Sequence, residues 1–141
     1  MTKLENTIQY IEDHNVKIVF RKNLNGLEAF ALKLDVNDDG AIVIEEDNVR
    51  SALKTNTILL HEFSHLDYPK SMYDFETSIY ARKRRENNIN KHMIKKFIPV
   101  ELLKRLLENG LQPFEISEEL SIEEKTIKEA ILLYKENGLL D

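Results

Sequence analysis

The chain has no cysteine and no tryptophan, and its 141 residues include only three prolines and four glycines. Without cysteine there is no disulfide framework and no thiolate metal site, so any bound metal falls to His, Asp or Glu. The N-terminus, MTKLENTIQYIEDHN, is charged and amphipathic and does not read as a secretory signal. With the missing disulfides, this points to the cytoplasm. No apolar run approaches the roughly 20 residues that cross a bilayer, so no membrane association is expected. What is present is 42% hydrophobic and 32% charged, the composition of a folded globular chain. The length suits one modest core, with room for a small appended subdomain.

The net charge of −5 is unevenly spread. Residues 82–96, RKRRENNINKHMIKK, carry seven Lys/Arg against one Glu, whereas residues 101–141 carry five against ten Asp/Glu. The basic stretch reads either as a docking surface for an acidic partner or nucleic acid, or as a solvated helix face.

Leu4, Ile8 and Ile11 at helical spacing predict an amphipathic helix over 2–14. VKIVF (16–20) alternates and is β-branched, as strands are. Two apolar runs, 27–35 and 41–46, flank Asn37-Asp38-Asp39-Gly40, whose Asp-Gly suits a tight hairpin turn. Asp47 or Asn48 is the expected N-cap of a helix over about 49–66. A further helix is expected over about 72–97, then three short ones near 100–109, 113–120 and 122–137. The fold class is therefore α+β, a small antiparallel sheet followed by helices.

Within the 49–66 helix lies His61-Glu62-Phe63-Ser64-His65. Positions i and i+4 share a helix face, so both imidazoles can reach one ion at Zn–N distances of about 2.0–2.1 Å. Glu62 points about 100° round the helix, which disfavours ligation but suits a general base. Zinc lowers the pKa of a bound water, and Glu62 can take its proton and return it to a leaving amine. Other divalent metals fit the same donors. Leu59, Leu60, Phe63 and Leu66 supply a buried side for this helix. Three matched positions alone are also compatible with two histidines on an ordinary helix.

A catalytic zinc takes three protein ligands and keeps one position open. Tyr68 and Ser71 stand where a metzincin would place Gly and His, which excludes that class. His14 is remote in sequence and His92 has no supporting spacing. Of the downstream acids, Asp67 is too close to His65 to swing back, leaving Asp74, Glu76 and Glu86. Glu86, the lone acid in the basic stretch, is favoured over Glu76 because a returning antiparallel helix would present it. Tyr68, Tyr73 and Tyr80 are possible oxyanion donors, though packing explains each equally, and none is assigned that role.

The apolar lead-in ILL before His61, the histidine–glutamate motif, and ENNINKHMIKKFIP (86–99) together resemble the ImmA/IrrE-type metallopeptidases of phages and integrative elements. The resemblance spans nearly the whole chain. It places Glu86 at the family's third-ligand position, Asn90 at its Asn/Arg position and Ile98-Pro99 at its terminal pair. Phe63-Ser64 stand where the family usually has Leu-Gly, and Ile89 and Met93 where it has Ala, implying a wider helix spacing. The resemblance implies a zincin-like metallopeptidase domain over 1–108, its sheet packed on a zinc-binding helix pair. A helical C-terminal subdomain over 109–141 follows. It also implies a zinc-dependent, gluzincin-like endopeptidase with His61, His65 and Glu86 as ligands and Glu62 as catalytic base. Its expected substrate is a Cro/CI-type helix-turn-helix repressor, whose cleavage derepresses phage or mobile-element genes.

The strand at 41–46, just before the zinc helix, is either a candidate edge for pairing with an extended substrate or a strand already paired within the sheet. The alternative function is a non-catalytic zinc-binding regulator that docks a repressor or DNA through its tail. FEISEELSIEEKTIKEAILLY has a helix-turn-helix pattern, but Glu123, Glu124 and Glu129 offset Lys125 and Lys128 on its second helix, which disfavours phosphate contact. A protein-contact or packing role for the tail is therefore expected over DNA binding.

Overall fold

The computed structural model describes residues 1–33, 39–47, 51–68 and 79–141. Among them are six helices and one three-stranded sheet, an α+β arrangement. Helix α1 (Lys3–Asp13) is capped by Thr2, whose hydroxyl accepts from the Glu5 N–H, and it buries Ile11. Strands β1 (Lys17–Arg21), β2 (Ala29–Leu32) and β3 (Ala41–Glu45) follow.

The sheet is mixed, not antiparallel as expected. Its order is β1-β3-β2, with β1 parallel and β2 antiparallel to β3. The β2–β3 pairing matches the expected hairpin strands, although residues 34–38 of their connection lie outside the described residues. The central position of β3 follows from its sequence. AIVIE buries Ile42 and Ile44 completely on one face, and a middle strand can satisfy both backbone edges. Pairing of residues 41–46 with a substrate is therefore excluded, because β1 and β2 already occupy both edges of β3. The edge strand against the next helix is β2.

Gly40 ends the approach to β3 with φ +102°. A Cβ there would lie 2.8 Å from Leu66 Cδ2 and 3.0 Å from the Leu32 carbonyl oxygen, so only glycine fits both conformation and space.

Helix α2 (Ala52–Asp67) is the central element. Its cap is Ser51, whose Oγ accepts from the Lys54 N–H at 3.2 Å, not Asp47 or Asn48; Asn48 lies outside the described residues. Ile58, Leu59, Phe63 and Leu66 pack with Ile11, Val16, Ile42 and Ile44. Leu60 turns the other way, into a second core with α3 (Ile79–Phe97), α4 (Val100–Glu108), α5 (Pro113–Leu120) and α6 (Glu124–Glu136). Packing on both sides explains why α2 is buried round most of its circumference, Thr55, Asn56 and Ser64 included. In α3, residues 72–78 of the expected helix lie outside the described residues.

The tail packs directly on the α2–α3 pair. Met93, Ile94 and Ile98 share one cluster with Leu103, Ile116, Ile127 and Tyr134. Tyr134 donates its hydroxyl to the Ile98 carbonyl at 2.7 Å, and the Glu123 N–H donates to Thr57 Oγ1 at 2.9 Å. Asn56 Nδ2 donates to the Ser121 carbonyl at 2.7 Å. Among the described residues, no helix is long and apolar enough to cross a membrane.

Candidate metal centre

His61 and His65 lie one turn apart on α2, and their Nε2 atoms are 3.3 Å from each other. Helix α3 returns alongside and brings Glu86 to both: Oε2 is 3.3 Å from His61 Nε2, and Oε1 is 3.2 Å from His65 Nε2. The Glu86 carboxylate thus bridges the two imidazoles, one oxygen to each, and one ligand atom from each of the three residues lies within 4.8 Å of the others. A tetrahedral ion with bonds of 2.0–2.1 Å has ligand–ligand edges of about 3.3 Å. The 3.3 Å separation of the two Nε2 atoms matches one such edge, and the donor types are those zinc takes. His61, His65 and Glu86 are the group of described residues able to hold a metal ion. All three stay partly open to solvent, with side-chain exposures of 31%, 25% and 53%, so a fourth position is reachable by water or substrate.

Glu62 lies beside this cluster in a cleft of about 410 Å³ that it lines with His61. The cleft walls come from three directions: Gly26 to Ala29 leading into β2, Asn90 and Met93 of α3, and Glu123 and Thr126 at the start of α6. Burial pushes the Glu62 carboxyl up to about 7, with the nearby Glu86 carboxylate adding to the rise. A carboxyl that titrates near neutrality can both accept and return a proton, as a general base and acid must.

The end of α2 is fixed to α3 by a contact the sequence did not announce. Asp67 Oδ2 accepts from His92 Nε2 and from Lys96 Nζ, each at 2.7 Å. Burial pushes the Asp67 carboxyl up, but the bonds from Lys96 and His92 outweigh it and hold it below the ordinary value. Lys96 also lies over the Phe63 ring, 5.4 Å from its centre. His92 stays out of the donor cluster, and no fixed spacing between Asp67 and His92 could have revealed the pair. Asn90 Nδ2 donates to Glu129 Oε2 at 3.0 Å, tying the cleft wall of α3 to α6.

The other sequence candidates fall outside the cluster. His14 bonds through Nδ1 with the Tyr10 carbonyl at 2.7 Å. Tyr68 packs edge-on against His92, and Tyr80 is 81% exposed. Tyr73, Asp74 and Glu76 lie outside the described residues. Ser64 is fully buried, and its Oγ donates to the Leu60 carbonyl at 2.8 Å, so the hydroxyl is satisfied within its own helix. Ile89 and Met93 are both buried where α3 faces the core.

Comparison with protein-family models, with curated proteins and with solved structures gives no match.

Proposed function

We propose that the chain is a zinc-dependent endopeptidase, with His61, His65 and Glu86 as metal ligands and Glu62 as the catalytic acid–base. The observation carrying this reading is the convergence of His61, His65 and Glu86, with Glu86 placing one oxygen 3.2–3.3 Å from each imidazole, and a partly buried carboxyl beside them. Zinc held there would supply Lewis acidity and a more acidic water. Glu62 takes a proton from the attacking water as the new C–O bond forms, then gives it to the amine nitrogen as the C–N bond breaks. The Asp67 anchor to His92 and Lys96 keeps α2 and α3 in register, so that ligands on separate helices meet at one point. Among the described residues β2 is an edge strand that begins at the cleft with Ala29, and it is the strand we assign to pairing with an extended peptide, in the role first expected of 41–46.

A Cro/CI-type repressor is the proposed substrate and the cytoplasm the proposed location, both resting on sequence resemblance and composition. The test is to incubate the zinc-loaded protein and its Glu62→Gln variant with purified repressors of this type from the same cell. Cleavage by the former, with zinc retained and cleavage lost in the latter, supports the reading. Unchanged repressor release by Glu62→Gln would instead favour a zinc-binding regulator that docks without cutting.

A further inference from the structure

We infer that Asn90 binds the main chain of the substrate beside the scissile bond, and that Glu129 is the positioning residue that orients its carboxamide. The inference rests on the peptidase reading and adds to it the side chain that recognises a peptide group. On α3, Glu86, Asn90 and Met93 recur at helical spacing and share one face. Asn90 therefore stands one turn past Glu86, about 6 Å along the helix axis. It lines the same cleft as His61 and Glu62. An extended peptide advances about 3.3 Å per residue, so Asn90 lies within about two substrate residues of the metal donors.

The Asn90 carboxamide is only half used by the fold. Its Nδ2 donates to Glu129 Oε2 at 3.0 Å, and it makes no other side-chain hydrogen bond among the described residues. A carboxamide has two N–H donors and a carbonyl acceptor, so one N–H and Oδ1 are left over. These are the complements of the C=O and N–H of a peptide group. Asn90 is half-buried, as a side chain that meets a ligand must be.

Glu129 decides which way the amide points. A carboxylate only accepts, so it draws the NH2 end of Asn90 and repels Oδ1. Glu129 forms no ion pair among the described residues, although Lys125 stands one turn before it on α6. On the same helix Lys128 and Glu124 do pair at that spacing, at 3.3 Å. The Glu129 carboxylate is directed to a neutral amide instead.

The other polar side chains of the cleft leave this role open. Thr57 is committed twice: its hydroxyl donates to the Leu53 carbonyl and accepts from the Glu123 N–H, each at 2.9 Å. Glu28 pairs with Lys54 at 3.0 Å, and a carboxylate at Glu28 or Glu123 has no donor for a substrate carbonyl. Thr126 is buried. His61 and Glu62 have their own parts in the proposed reaction.

The test uses the full zinc-loaded chain and a library of decapeptides, with cleavage read by mass spectrometry. The best-cut peptide is then remade with each peptide group flanking the scissile bond replaced in turn by an ester, which removes one N–H and weakens one carbonyl acceptor. At one flanking position the ester should lower wild-type kcat/KM about tenfold, the effect of one or two hydrogen bonds. Asn90→Ala should lose about tenfold on the amide peptide with its zinc content unchanged, and the ester should slow it little further, because the partner is already gone. Glu129→Ala should lose part of the amide preference, and Glu129→Gln, whose Oε1 still accepts, should keep it. A side chain that only ties α3 to α6 would leave the amide-over-ester ratio untouched. Calorimetric titration of the same two peptides into zinc-loaded Glu62→Gln should show the preference in Kd without turnover. Esters that slow wild type and Asn90→Ala equally at every position overturn the inference and leave the peptidase reading standing. If no peptide is cut by a chain holding one zinc, the peptidase reading fails and the inference falls with it.

Discussion

Glutamine in place of Glu62 should stabilise the metal-free protein at neutral and alkaline pH and do nothing in acid. Burial, followed by the Glu86 charge, raises this carboxyl from 4.5 to about 7. The folded chain therefore holds its proton more tightly than the unfolded chain does. Between about pH 4.5 and 7 folding takes up a proton, so the free energy of unfolding falls as pH rises through that window and stays low above it. At 1.36 kcal/mol per pH unit the full cost of the ionised form is roughly 3 kcal/mol. Water reaches part of the side chain, which brings the expected figure nearer about 2 kcal/mol. Urea denaturation of both proteins in chelator, across the pH range, measures it. The two stabilities should coincide below about pH 4.5 and diverge to about 2 kcal/mol above 7 in favour of Glu62→Gln. A pH-independent difference, or a variant less stable at high pH, would refute the argument. Bound zinc should flatten the wild-type slope, because a nearby dication favours the carboxylate.

Asp67→Asn should cost about 1 kcal/mol at neutral pH, since it removes the charge that both His92 and Lys96 contact. Because the folded carboxyl titrates below its ordinary value, that contribution is present above the unfolded value and is lost as pH falls through the folded one. Denaturation of the variant beside wild type should show the gap closing in acid. Thr57→Val keeps the shape of a buried side chain but leaves the Glu123 N–H without its acceptor, at a cost of about 1–3 kcal/mol by thermal or urea unfolding. Gly40→Ala places a methyl against Leu66 and the Leu32 carbonyl at a positive φ, and should lose at least about 1 kcal/mol in the same assay.

Legibility in the sequence followed the range of the interactions. That His61 and His65 share a face could be read because helical spacing is local, and the approach of Glu86 to them because it is an isolated acid on a returning helix. Strand order could not be read. Alternation in VKIVF and AIVIE tells which side chains share a face, but not which strand is the neighbour, and parallel β1–β3 pairing depends on where the intervening chain runs. The start of α2 shifted for a similar reason. Asp47, Asn48 and Ser51 are all competent caps, and only the tertiary position of the helix selects Ser51. The Asp67–His92–Lys96 contact joins residues 25 and 29 apart on different helices, beyond any local pattern.

One ion held by His61, His65 and Glu86 is the core of the proposed site. Zinc titration of wild type and Glu86→Ala, followed by X-ray absorption at the zinc edge, tests it most directly. The prediction is one zinc per chain with two nitrogen neighbours and oxygen at about 2.0–2.2 Å. Affinity in Glu86→Ala should fall by at least about 100-fold, beyond the 10–100-fold typical of losing an outer-shell partner. Undiminished zinc affinity in that variant, or no stoichiometric zinc in wild type, would contradict it.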